Sequence, residues 1–305
     1  MLEVILMPVS ENNEFRKNIK RADLKNNFLK KIILRLDYSG VIDIVETLKL
    51  LEADATFDKF VEVQEGFIDE FDFKLNDPES IATQASISPK ELKAIKTFKY
   101  FDESKEMILE MNKLYTTLTV NSAKYIKFEE YCALFTQVLG KLKERNKFLS
   151  PLRFGVRKVN DCLLEVGANF ADYFNELFFL DISKPLEAIG INSNQITTQL
   201  SDHSKVDEFF FNLLRIVNTG VLQTNEGKKE VYQVIVDLDG YTYDLDDLTR
   251  PSKRESLEEF ETTSENINVA LFQLFISTLS CNFLKKMMHE SFKDSNIFGV
   301  NKNEI

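Results

Sequence analysis

Seven side chains, Phe128, Tyr131, Cys132, Phe135, Val138, Leu139 and Leu142, recur at spacings of three and four residues. On an α-helix that spacing gathers them into one apolar stripe about 100° wide, which needs a flat apolar partner. A β-sheet supplies one. The last turn carries Lys141, Lys143 and Arg145, which suit the negative end of the helix dipole, and Ser150-Pro151 stops the helix. A second long helix is expected from about residue 267 to 289, with Leu271, Leu274, Phe275, Leu279, Phe283 and Leu284 on its buried side.

What precedes each helix reads as strands. Residues 28–38 are apolar and rich in β-branched side chains, and Gly40 closes them. A meander follows at 95–101, 106–111 and 115–120, after a short helix at 43–51, an edge strand at 67–73 and a Pro- and Ser-containing loop at 76–90. In the second half, 152–160, 208–219 and 230–238 read as strands, 169–180 as a short Phe-rich helix, and 183–205 as a polar loop. Residues 249–266 are polar, and the tail from Glu290 is expected to fray. Runs of strands followed by helices imply an α+β fold of antiparallel sheets, each packed by a long amphipathic helix. The order suggests a duplicated strands-then-helix unit, residues 1–149 and 150–305, with the halves packed as one compact unit.

Composition narrows the function. Ten glycines in 305 residues leave few places for a phosphate-cradling loop. The net charge of -11 argues against a general nucleic-acid binder. The 26 phenylalanines point first to core packing. Cys132, Cys162 and Cys281 form no C-x-x-C pair and sit among apolar residues, as reduced, buried thiols do. The N-terminus lacks a basic n-region, and no apolar run approaches the roughly 20 residues that span a bilayer. The expectation is a soluble, cytoplasmic protein without membrane contact.

No P-loop, G-x-G-x-x-G, G-x-S-x-G or H-E-x-x-H occurs. The two histidines, His203 and His289, have no Cys or paired carboxylate at ligand or triad spacing. No catalytic residue, metal ligand or cofactor site is expected. Five Asp between Asp237 and Asp247 fail the EF-hand spacing and read as a strand ending in a solvated acidic loop. Eight basic residues from Arg16 to Arg35, against the single acid Asp23, read as a solvated segment.

The most distinctive segment is Arg153-Phe154-Gly155-Val156-Arg157-Lys158-Val159-Asn160. Strand alternation puts Arg153, Gly155 and Arg157 on one face, with the arginines about 13 Å apart. Two readings stand: an anionic ligand or partner site, because the guanidinium fork matches carboxylates and phosphates, or ion pairs with acids on adjacent strands, such as Asp37 or Asp237. Together with Asn160 and Asp239 these residues are the candidate site.

Residues 28–38, Tyr125, Phe128-Glu129, Tyr131, Arg153 to Asn160, Val236-Asp237-Leu238-Asp239 and the C-terminal amphipathic helix together resemble a sporadically distributed, functionally uncharacterised bacterial family. Its central motif reads R-x-G-L-R-Y-x-N and a later strand reads L-D-x-D. The resemblance runs from about residue 24 to 288. Lys158 stands where the family usually has Tyr, and the helix near residue 271 lacks a His often found there. The resemblance implies bacterial or prophage origin and no particular activity, and the family's scattered distribution is similar to that of defence and toxin–antitoxin accessory genes. The leading expectation is a non-enzymatic binding protein, accessory, antitoxin-like or chaperone-like, that recognises a protein partner. The alternatives are a nucleic-acid or nucleotide-binding defence component and a carboxylate-dependent enzyme. Self-association is compatible with all three.

Overall fold

The structure, a computed structural model, describes residues 11–41, 44–68, 94–122, 125, 127–179, 197–224, 227–243, 245 and 253–302. Helices are α1 (Glu11–Asn18), α2 (Ile44–Glu52), α3 (Phe128–Arg145), α4 (Lys253–Thr278) and α5 (Cys281–Met287). Strands are β1 (Asn26–Asn27), β2 (Leu29–Ser39), β3 (Phe60–Ile68), β4 (Ile95–Asp102), β5 (Met107–Met111), β6 (Tyr115–Asn121), β7 (Ser150–Glu165), β8 (Thr197–Val206), β9 (Phe209–Thr224), β10 (Gly227–Thr242), β11 (Ile297–Phe298) and β12 (Asn301–Lys302).

The class is α+β. The expected separate sheets are one sheet, of order β3-β4-β5-β6-β2-β7-β10-β9-β8, with every neighbouring pair antiparallel. β2 and β7 meet at its centre, Leu34 opposite Val156 and Asp37 opposite Arg153. The register shifts between Asp37 and Tyr38, where Pro151 faces Tyr38, so the proline nitrogen falls at an irregularity near the strand's start. Each half leaves a central strand for the outer edge, returns inward by a meander, and ends in a helix on the same face.

Alternation sorts the side chains. Along the middle of β2, β7 and β10 the even-numbered apolar side chains, such as Leu34, Phe154 and Leu238, are buried. Phe154 packs on Phe135 of α3 and Phe260 of α4, at ring distances of 6.4 and 4.3 Å, so this is the helix-covered face. Gly240 lets α4 lie close: a Cβ there would stand 2.6 Å from the Ile267 Cγ2. Gly40, at φ +82°, turns the chain out of β2, and a Cβ would overlap the Phe148 carbonyl oxygen.

Several expectations change. Residues 170–179 hold a 3-10 turn at Phe170–Asp172 rather than a helix, and Phe170, Phe174 and Phe179 pack together beside Phe28 and Phe283. Part of the supposed polar loop is edge strand β8, polar because little covers it. The C-terminal helix begins fourteen residues earlier and breaks at Leu279-Ser280, where the Ser280 hydroxyl caps α5 by accepting from the Phe283 N–H. The tail is tied down as far as Lys302: Ile297 is buried and pairs with Leu164, extending the edge of β7 where β2 has ended, and β12 pairs with β1. The edge strand expected at 67–73 is β3, ending at Ile68; 69–73, the 76–90 loop and 183–196 lie outside the described residues. No helix among the described residues is long and apolar enough to cross a membrane.

Candidate functional site

Among the described residues, nothing covers the opposite face of the sheet at its centre. There β2, β5, β6, β7, β9 and β10 form a depression of about 540 Å³, lined by Arg35, Asp37, Glu110, Tyr115, Arg153, Gly155, Arg157, Asn212, Asp239, Tyr241 and Tyr243 among others. Register builds it in rows. One row runs Glu110, Thr117, Arg35, Gly155, Tyr241; the next runs Thr119, Ile33, Arg157, Asp239, Asn212, His203.

Charged residues alternate across these rows and satisfy one another. Arg35 Nε donates to Asp37 Oδ1 at 2.7 Å. Arg153 lies between two acids, with Nη1 3.7 Å from Asp37 Oδ2 and Nη2 donating to Asp239 Oδ2 at 3.1 Å. Arg157 makes a fork on Asp237, Nε to Oδ1 at 2.8 Å and Nη2 to Oδ2 at 2.5 Å. The guanidinium of Arg35 lies 4.3 Å from the Tyr115 ring centre, and that of Arg153 lies 4.2 Å from the centre of Tyr241. The Tyr115 hydroxyl donates to Glu110. Gly155 is not bare: a Cβ there would meet Tyr241 Cβ at 3.2 Å and the Arg153 guanidinium at 3.5 Å. The space the glycine leaves is filled by the neighbouring arginine and tyrosine.

These contacts tune the ionisable groups. Burial pushes the Asp239 carboxyl above the usual range, and the Arg153 and Arg157 charges pull it back. The hydrogen bonds that Arg157 donates to Asp237 hold its guanidinium more firmly protonated. Burial, followed by the hydrogen bond to Glu110, raises the Tyr115 phenol. Arg157 keeps 49% of its side chain exposed, while the Asp237 that fixes it keeps 9%.

Of the residues expected from sequence, Asp37, Arg153, Gly155, Arg157 and Asp239 line the depression, and Asp237 shares its face beside Arg157. Asn160 does not. It points to the helix-covered side, where its amide donates to the Val236 carbonyl at 3.1 Å. Sequence reasoning missed Arg35, Tyr115, Tyr241 and Asn212, because only register brings them alongside. It also missed a chain of polar contacts at the edge: Ser201 Oγ lies 3.3 Å from His203 Nε2, His203 Nδ1 lies 2.6 Å from Asn212 Oδ1, and Asn212 Nδ2 donates to Asp239.

The basic stretch from Arg16 to Arg35 is solvated only in part: Lys17, Lys20 and Lys30 are exposed, while others are tied into the fold. Arg16 donates to the Leu279 carbonyl, Arg21 pairs with Glu265 at 3.2 Å, Lys25 donates to the Ala22 carbonyl, and Arg35 belongs to the depression. The acidic run divides: Asp237 and Asp239 are tied to arginines, and Asp244, Asp246 and Asp247 lie outside the described residues. No group of three His, Cys, Asp or Glu side chains among the described residues could hold a metal ion. All three cysteines are free thiols, with Cys132 and Cys162 buried.

No protein-family model matches the chain, and no curated protein is significantly similar to it.

Proposed function

We propose that this chain is a non-enzymatic binding protein of the accessory, antitoxin-like or chaperone-like kind, which seats a segment of a protein partner on the open face of its sheet. One observation carries the reading. Arg157 is clamped by Asp237 yet half exposed, on the rim of a depression where Leu152 and Tyr243 are also exposed. A fixed guanidinium beside an aromatic and an aliphatic side chain is the composition of interface hot spots. Holding the cation in place beforehand lowers the ordering cost of association.

The lining balances three cations, Arg35, Arg153 and Arg157, against three acids, Asp37, Glu110 and Asp239. That neutrality weighs against phosphate-rich nucleic acid, whose binding draws on unpaired positive charge. It weighs against a carboxylate enzyme as well, since Asp37 and Asp239 both face Arg153. Free, buried thiols fit the cytoplasm as its compartment. The matching order of elements in the two halves, central strand, inward meander, helix, supports descent from a duplicated unit, and the motif resemblance supports a bacterial or prophage origin.

The test is affinity capture from the native host with the wild-type chain and Arg157→Ala, with and without nuclease. The expected result is one protein retained by the wild type, unaffected by nuclease, and depleted about tenfold or more by the substitution at unchanged melting temperature, as for a hot-spot residue. Equal retention by both chains, or loss of every bound species on nuclease treatment, refutes the reading.

A further inference from the structure

The sheet ends differently on its two sides. At one end β8 is polar: it carries Asp202, His203 and Lys205, and none of its side chains is a large exposed hydrophobic. Charges on an edge strand discourage pairing with another chain. At the other end β3 leaves Val61, Val63 and Phe67 exposed, at 66, 50 and 72%. β4 takes one side of β3, and among the described residues no strand lies along the other. Val63 stands opposite Tyr100, whose hydroxyl donates to Glu52 of α2, so Val63 and Phe67 lie on the side of the sheet that the helices cover further in. The two acids of β3 are neutralised by lysines of the same chain. Lys105 Nζ lies 2.6 Å from Glu62 Oε2, and Lys96 Nζ lies 2.7 Å from Glu65 Oε2. A chain of net charge -11 thereby presents one apolar edge whose own charges are balanced.

We infer that β3 is a self-association edge and that its partner is a second copy of this chain. The two β3 strands pair antiparallel about a two-fold axis that passes through the sheet at Gln64, which joins two sheets into one and keeps the helices of both copies on the same side. The strand is self-complementary in this register. With Gln64 opposite Gln64 of the second copy, Val61 meets Phe67, Glu62 meets Gly66 and Val63 meets Glu65, and each of these pairs is made twice. The exposed Phe67 gains an apolar neighbour, the glycine leaves room beside Glu62, and no acid faces an acid. Other registers are worse. An axis at Glu62 or Glu65 sets two carboxylates directly opposite each other, which destabilises a sheet. An axis at Val63 carries Phe67 past the start of the opposing strand, to Lys59. Because the contact is made at the end of the sheet, it leaves the central depression free for a different partner.

Sedimentation velocity of the full chain from about 1 to 100 μM covers the range of weak, specific association. The wild type is expected to pass from monomer to dimer within it. Val63→Glu sets a second acid against Glu65 of the other copy, and Phe67→Ser removes the ring that meets Val61. Because each pair occurs twice, each substitution is expected to raise the dimer dissociation constant about tenfold or more. Both side chains are half or more exposed in the single chain, so melting curves at the lowest concentration should match wild type. Ser204→Glu, on the exposed β8 at the other end of the sheet, is expected to leave the dimer unchanged. A wild type that stays monomeric to the top of the range overturns the proposal. So does a dimer that persists in both β3 variants, or one that only Ser204→Glu dissociates.

Discussion

At neutral pH Lys158 costs the fold free energy, because burial and Arg21 disfavour its ammonium. The folded amine ionises near 7 against an ordinary 10.5. Below about pH 7 both folded and unfolded chains carry the proton, and the cost is full. Between 7 and 10.5 only the unfolded chain holds it, so stability rises with pH by up to about 1.4 kcal/mol per unit from this group. Above 10.5 the cost is gone. Lys158→Met keeps the aliphatic stem and removes the titration, so the stability gap between wild type and variant is expected to move in favour of wild type across that window. Urea melts of both proteins at pH 6, 7, 8 and 9 measure it, and a gap that stays constant rejects the lowered amine. This residue was visible in the sequence only as an oddity of the R-x-G-x-R-K-x-N segment. Arg153 and Arg157 were legible as one face because strand period alone fixes it, and the same parity places Asn160 on the other face. The acids they meet could be named, but not assigned one to one.

Elements were legible where one face is strongly apolar. α3 shows its stripe in the sequence, and the structure buries those same side chains. α4 hid roughly its first four turns because residues 253–266 are mostly polar, with Phe260 and Ser264 buried anchors. β8 hid because an edge strand with little cover has no apolar period to read. Gly240 marks the tightest contact between helix and sheet, and α4 reaches the strand only because that position lacks a side chain. Gly240→Ala would drive a methyl group against Ile267 and Leu271 and lift α4 from β10. The expected loss is about 1–3 kcal/mol, the range for overpacking a filled core. Chemical denaturation measures it. Relief by a second change, Ile267→Val, would trace the loss to that contact, and a neutral Gly240→Ala would show that the helix is not held so closely.

The whole molecule is decided by a pairing that no local pattern encodes. Local alternation finds β2 and β7, but only the folded chain shows that they are neighbours and that the two meanders return to flank them. The seam between the halves has three layers: the β2–β7 backbone ladder, the Asp37–Arg153 contact on the open face, and Phe154 against Phe135 on the covered face. The C-terminal segment reinforces it, since Ile297 and Phe298 continue the same edge of β7. Either half alone would therefore present a long, apolar, unpaired central strand, the arrangement that drives strand-edge association. Residues 1–149 expressed alone are expected to aggregate or remain partly unfolded, whereas co-expression with residues 150–305 should yield a soluble one-to-one complex that melts as a single unit. Size-exclusion chromatography and calorimetry distinguish these outcomes. A monomeric, cooperatively folded 1–149 would mean that β2 does not need β7. In that case the ladder at the centre of the sheet would join two independently stable domains rather than complete one core.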